Sequence, residues 1–321
     1  MRGIRIAVAL ALLSVGLIGP ADAGPGPGPD IPVPGTTCEV FPADNAWHLN
    51  VSRMPVHRRN DVWKKAMHAG TTDLHPDFGP PSYGIPYDVV GGGHAKVAID
   101  FTYASESDPG PYPFGPDITI EGGSDHHALM VDRDDCMLYE LYAARWNGGN
   151  PKAGSGAIFD LGSNELRPHG WTSADAAGLP IFAGLVRWDE VVAGEVDHAI
   201  RFTAACSSRS FLWPARHQAG SSDDRCPPMG ARFRLKRGFS LAGFSDDAKT
   251  ILRGMKRYGL VLADNGSDWY FQGTLDAGWK NPLLGELKSI PAGAFVAVDI
   301  SGCKVAPNSG AFAYGPDCPA P

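Results

Sequence analysis

Forty glycines and 28 prolines are spread along this 321-residue chain, and they limit how long any regular element can run. Glycine loses the most backbone freedom on folding, and proline removes an amide donor and fixes φ, so both punctuate structure. Many short pieces between turn residues are typical of all-β architectures. The fold expected is therefore mainly β: a β-sandwich or jelly roll with a few peripheral helices, with a β-barrel as the alternative.

Periodicity locates the pieces. Lys96–Tyr103 is the clearest strand, because Val97, Ile99, Phe101 and Tyr103 alternate with Lys96, Ala98, Asp100 and Thr102. His127–Asp132 and Cys136–Tyr142, joined by the polar Arg133-Asp134-Asp135, predict a hairpin. Further strands are expected at Ala157–Leu161, Asp197–Ala204, Ala231–Lys236, Leu260–Ala263, Trp269–Gln272 and Phe295–Ile300. The best helix is Asp246–Tyr258. Ser245 can cap it, two aspartates suit its positive end, and Ala248, Ile251, Leu252, Met255 and Tyr258 form one apolar stripe that Gly259 ends. Shorter helices fit Asp61–Ala69, Leu185–Ala193 and Pro282–Ser289.

The organisation expected is an export leader over 1–23, an extended Pro/Gly spacer over 24–37, one globular domain over 38–303 and a Pro/Gly-rich tail over 304–321. Arg2 and Arg5 precede an apolar stretch from Ile6 to Ile18, and Ala21-Asp22-Ala23 has the small-x-small cleavage pattern. That stretch is too short to span a bilayer, and no later run is long enough either. Six cysteines fit an oxidising compartment and read as three disulfides. Cys206 with Cys226, and Cys303 with Cys318, each close a short loop, leaving Cys38 for Cys136. No CxxC occurs, which argues against a zinc–thiolate site. At a net charge of −7, with Lys and Arg scattered singly, neither nucleic acid nor an anionic membrane is an expected partner.

Six segments also carry a resemblance. They are Phe41-Pro-Ala-Asp-Asn-Ala-Trp47, Leu74-His-Pro-Asp-Phe-Gly79, Glu106-Ser-Asp-Pro-Gly-Pro-Tyr-Pro113, Gly170-Trp-Thr-Ser-Ala-Asp-Ala-Ala-Gly-Leu-Pro180, Trp213-Pro-Ala-Arg-His217 and Ala263-Asp-Asn-Gly266. With them the chain resembles a group of secreted bacterial proteins, mostly actinobacterial and proteobacterial, usually labelled hypothetical. The resemblance implies export and a single domain. It carries over no catalytic residue.

The region from Gly156 to Met229 is dense in tryptophan, histidine and arginine, which suggests a cleft. His127 shares strand parity with Leu129 and Val131, and His198 with Ile200 and Phe202, so both point inward and need polar partners. Glu121, at the end of the expected strand run Asp117–Glu121 and followed by two glycines, suits a general acid or base. Asp175 serves either as a second carboxylate or as the third residue of a capping box that begins at Thr172. Asp108 and Tyr112 lie in a stiff acidic loop of the kind that walls sugar-binding clefts. The adjacent His126 and His127 point to opposite faces of a strand, and Asp132, Asp134 and Asp135 lack the spacing of a calcium loop, so no metal or other cofactor is expected. Gly-x-Ser-x-Gly, Ser-x-x-Lys and His-Glu-x-x-His are absent.

These features predict an exported glycoside hydrolase acting on polysaccharide. Its carboxylates are drawn from Glu121, Asp108 and Asp175, with His127, His198, Arg216 and His217 orienting substrate. Trp171, Trp213 and Tyr112 supply stacking faces. The alternatives are a polysaccharide lyase and a non-catalytic secreted glycan-binding or cell-envelope protein.

Overall fold

Residues 31–321 are described by a computed structural model, so the leader expected over 1–23 and the first half of the spacer lie outside the described residues. The chain is mainly β with few helices. Its strands are β1 (His75–Pro76), β2 (Tyr87–Val90), β3 (Asp100–Phe101), β4 (Ala128–Asp132), β5 (Met137–Tyr142), β6 (Lys152–Ala153), β7 (Ser155–Asp160), β8 (Ile200–Ala204), β9 (Arg232–Leu235), β10 (Leu260–Asn265), β11 (Tyr270–Phe271) and β12 (Phe295–Val298). The helices are α1 (Asn60–Ala66), α2 (Trp188–Ala193), α3 (Asp246–Arg257) and α4 (Asn281–Leu287). A six-stranded sheet runs β1-β11-β8-β10-β9-β12, a four-stranded sheet β2-β4-β5-β7, and β3 pairs with β6. The pairs β1/β11, β8/β10, β2/β4 and β3/β6 are parallel, which an all-antiparallel jelly roll does not contain.

The hairpin forms as the sequence predicts, with Ala128 opposite Leu141 and Asp132 opposite Met137. Leu129, Val131 and Leu138 enter the large core, while Ala128, Met130, Tyr139 and Leu141 fill a second cluster on the other face. Burial on both faces explains why β4 reads as a continuous apolar run. Phe202, Phe233, Trp269 and Phe295 centre the larger core, with successive ring centroids 5.5–5.6 Å apart, and Trp269 Nε1 donates to the Met67 carbonyl at 2.8 Å. Helix α3 packs on β9 with its apolar stripe buried. Ser245 Oγ accepts from the Ala248 amide at 3.3 Å, as expected of the cap. Gly259 ends the helix at φ +77°, and a Cβ there would lie 2.4 Å from the Phe233 oxygen, so only glycine fits.

Three expectations are corrected. The segment Lys96–Tyr103 contributes only β3, because its amides pair with different neighbours: Val97 with Tyr112, and Asp100 and Thr102 with Pro151 and Ala153. The visible spacer is folded in rather than extended: Val33 is fully buried, and Arg187 Nη2 donates to the Ile31 carbonyl at 3.1 Å. The tail, expected apart from the 38–303 domain, is bonded to it: the Gly310 amide donates to the Asn164 carbonyl at 2.6 Å and that of Phe312 to the Asp44 carbonyl at 2.8 Å. Cys38–Cys136, Cys206–Cys226 and Cys303–Cys318 are the disulfides, matching the expected pairing. No helix among the described residues is long and apolar enough to cross a membrane.

One irregular segment, residues 173–187, touches both large sheets and positions the site. Glu140 of β5, fully buried, accepts from the amides of Ile181 at 2.9 Å and Phe182 at 2.8 Å. On the other side a Cβ at Gly184 would come within 2.7 Å of Arg201 Cβ on β8, and the Ala177 amide donates to the Ala263 carbonyl of β10 at 2.9 Å.

Candidate active site

A cleft of about 430 Å³ opens where the C-terminal ends of β5 and β10 meet the start of β7 and the segment after Trp171. Its walls carry Tyr103, Tyr142 and His217; its acidic groups are Glu106, Asp125, Asp175 and Asp264. Lysine and arginine are absent from the lining among the described residues.

Asp264 reaches the cleft through a bulge. The β8/β10 register shifts between Leu262 and Asp264, so Asp264 pairs with Thr203 immediately after Leu262 pairs with Phe202. The C-terminal end of parallel strands is where α/β sheets hold ligands, and the β8/β10 pair is a local instance. Asp264 Oδ1 accepts from the Asn265 amide at 2.7 Å. Burial, and then the neighbouring Asp175, push its carboxyl from 3.8 up to about 7, against the pull of Arg201.

Asp175 sits in a tight loop whose backbone is tied locally. Its amide donates to Ser173 Oγ at 2.9 Å, and its carbonyl accepts from the Gly178 amide at 3.0 Å. Gly178 holds φ +68°, and a Cβ there would lie 2.5 Å from the Trp171 oxygen. No helix starts here, so the capping-box expectation is corrected. The side chain instead accepts from Arg201 Nε and Nη2, both at 3.1 Å. Burial raises the Asp175 carboxyl, and the Arg201 guanidinium opposes that rise. Both residues are almost wholly buried, so Asp175 meets the cleft at its floor with Arg201 packed behind it.

His217 joins the same loop from outside. The Arg216 and His217 amides both donate to the Ala177 carbonyl, at 2.8 and 3.1 Å. His217 Nδ1 lies 2.8 Å from the Ala176 carbonyl, and its Nε2 lies 3.8 Å from Glu106 Oε2. Glu106 Oε2 is held by the Thr172 amide at 3.3 Å.

Next to the cleft, Glu121 and His127 form a dyad. Glu121 Oε2 lies 2.7 Å from His127 Nδ1 and accepts from the His127 amide at 3.2 Å. Burial lowers the imidazole, but the Glu121 carboxylate more than offsets it, so His127 titrates above its ordinary value. Burial works to raise Glu121, and His127 overcomes it, leaving that carboxyl below the usual range. Arg201 lies within electrostatic reach of Glu121, His127, Asp175 and Asp264, and thus links the dyad to the cleft.

Of the sequence-derived candidates, Asp175 and His217 line the cleft, and Glu121 with His127 lie next to it, the His127 ring 6.0 Å from that of the lining Tyr142. Glu121 itself follows no strand, because residues 117–120 form turn and irregular backbone. The others do not line it. Asp108 ion-pairs with Arg167 and accepts from the Ile158 amide at 2.8 Å. Arg216 donates to the Arg167 carbonyl (2.6 Å) and clasps the tail through the Pro307 carbonyl (2.9 Å) and the Asn308 side chain (2.9 Å). His198 is buried against Glu190 Oε1 at 3.1 Å, beside Arg187. Tyr112 is fully buried and cannot stack on a ligand. Trp213 donates to the Ser309 carbonyl at 2.8 Å and packs on a small cluster with Leu49 and Val51. The Trp171 ring lies 5.7 Å from the Arg167 guanidinium. The cleft residues that sequence reasoning did not single out are Asp264, Asp125, Tyr103 and Tyr142. The signal for Asp264 was available: a carboxylate closing an apolar strand and followed by Asn265-Gly266. Compared with known proteins, the chain matches no family model, no curated protein and no solved structure.

Proposed function

We propose that this protein is an exported glycoside hydrolase that cleaves extracellular polysaccharide, with Asp264 as general acid. One observation carries the reading: the β10 bulge turns Asp264 into an open, acidic cleft with tyrosine walls, where burial pushes its carboxyl up to about 7. An ordinary aspartate is almost entirely ionised at neutral pH, whereas this one is about half protonated and able to donate to a departing glycosidic oxygen. Perturbed carboxyls in clefts mark acid–base sites. Tyr103 and Tyr142 offer ring faces for sugar C–H groups, and Glu106 and Asp125 accept from hydroxyls. Hydrolase is favoured over lyase because a lyase must neutralise a uronate carboxylate. The nearby arginines are committed elsewhere, Arg201 to Asp175 and Arg216 to backbone carbonyls. Export rests on the leader pattern, the three disulfides and the resemblance to secreted bacterial proteins. The six- and four-stranded sheets, which contribute side chains to one shared core, are read as the leaves of a sandwich.

Plant, algal and mycobacterial polysaccharides incubated with the protein test this. Released reducing ends are expected, and Asp264→Asn is expected to lower turnover at least about a hundredfold, the scale of general acid catalysis. Products with the ultraviolet band of an unsaturated uronate would mean a lyase, and retention without products a binder. If Glu121→Gln abolished turnover while Asp264→Asn spared it, the acid would be Glu121.

A further inference from the structure

We infer that His217 is the general base of this site, activating water for attack with inversion at the anomeric carbon; this rests on the hydrolase reading above. The tautomer follows from the partner on Nδ1. A carbonyl oxygen only accepts, so the 2.8 Å contact with Ala176 requires Nδ1–H, and in the neutral ring Nε2 keeps its lone pair. Nε2 belongs to a side chain that lines the cleft and is about one-quarter exposed. An unprotonated ring nitrogen on a cleft-lining, partly exposed imidazole whose other nitrogen is fixed by a backbone carbonyl is the arrangement a base requires. Glu106 Oε2, 3.8 Å from Nε2, places a carboxylate beside the imidazolium that forms. The remaining carboxylates are less suited to act as nucleophiles. Asp175 has both oxygens engaged by Arg201, Glu106 Oε2 accepts from the Thr172 amide beside Nε2, Asp125 is solvent-exposed with Oδ1 accepting from Ser124 Oγ at 3.4 Å, and Asp264 is the acid of the proposed reaction.

The step balances without a co-reactant other than water. Water oxygen bonds to the anomeric carbon as one water proton passes to His217 Nε2. The glycosidic C–O bond breaks, and the leaving oxygen takes the Asp264 proton. Return of a proton from His217 to Asp264 through solvent restores both groups.

Two measurements test the assignment. The first is the anomeric configuration of the first-formed sugar, read by NMR on whichever polysaccharide is cleaved. Inversion is expected, whereas cleavage with retention overturns the base role and leaves the hydrolase reading standing. No cleavage of any substrate overturns both. The second uses nitrophenyl glycosides, whose leaving group departs without protonation. On them Asp264→Asn is expected to recover most of its lost turnover. His217→Asn keeps an amide donor for the Ala176 carbonyl but lacks Nε2, and should remain at least about a hundredfold down in kcat with KM little changed. His217→Asn with near-parental kcat on these substrates overturns the proposal, and so does a loss confined to KM.

Discussion

Replacing Arg201 by methionine isolates the buried charge that organises the site. Arg201 and Asp175 are about 3% and 1% exposed, and their two contacts are both 3.1 Å. Removing one partner of such a pair strands the other charge, at a cost of about 3–5 kcal/mol. For a domain of this size that corresponds to a Tm lower by roughly 6–20 °C. The loss should depend on pH in a defined direction. Without the guanidinium, Asp175 in the folded state titrates far above its unfolded value of 3.8. A carboxyl raised in this way is tolerated while protonated, so the deficit is small near pH 4 and grows as pH rises. The double variant Arg201→Met, Asp175→Leu removes both charges and should regain most of the stability, because buried pairs replaced by apolar residues are often neutral. Urea unfolding of the three proteins at pH 5 and pH 8 measures this. A single variant within about 1 kcal/mol of the parent at pH 8, or a double variant no better than the single, would refute the reasoning.

In the parent protein that alkaline limb should fall near pH 7, where Asp264 loses its proton; a rate that stays flat to pH 9 would remove Asp264 as the acid. The Glu121–His127 pair should contribute a bell of stability. Glu121 is depressed from 4.5, so its share is lost as pH falls through the folded value, whereas raised His127 loses its share as pH climbs above 6.5. The stability difference between parent and Glu121→Gln, read by denaturation from pH 3 to 9, should therefore peak between about 4.5 and 6.5; a monotonic difference would count against the pair. Among the disulfides, removing Cys38–Cys136 should cost more than removing Cys206–Cys226. Their sequence separations are 98 and 20, and loop-closure entropy puts the gap at about 1.4 kcal/mol. Serine double variants compared by urea midpoint decide the order.

The fold was legible where side chains repeat and obscure where backbone pairing is non-local. The β4/β5 hairpin and α3 announced themselves through a polar turn, a capping serine and a stopping glycine, all acting within a few residues. Strand β2 did not, because Tyr87–Val90 pairs in parallel with a strand some forty residues later, and nothing in its own sequence names that partner. The Lys96–Tyr103 alternation was real but its hydrogen bonds were divided among neighbours, so pattern and ladder came apart. Strand length and punctuation carry no information on direction, so the four parallel pairs had no signature in the sequence.

The site was legible to the extent that buried polarity shows in a strand. Parity alone placed His127 inside, and a buried imidazole has to find a partner, which here is Glu121. Parity does not do the same for Arg201, which alternates with Ile200 and Phe202, yet both it and Glu140 are buried charges that interrupt apolar strands. Alternation assumes one wet face, whereas segment 173–187 brings backbone amides and Asp175 to these side chains. Asp264 demanded one step more. Its parity matches Leu260 and Leu262, so a regular β10 would have directed it with those leucines, and only the bulge after Leu262 turns it away. A bulge is a property of the paired strands, not of either alone, and the cleft that depends on it becomes visible only once β8 and β10 lie side by side.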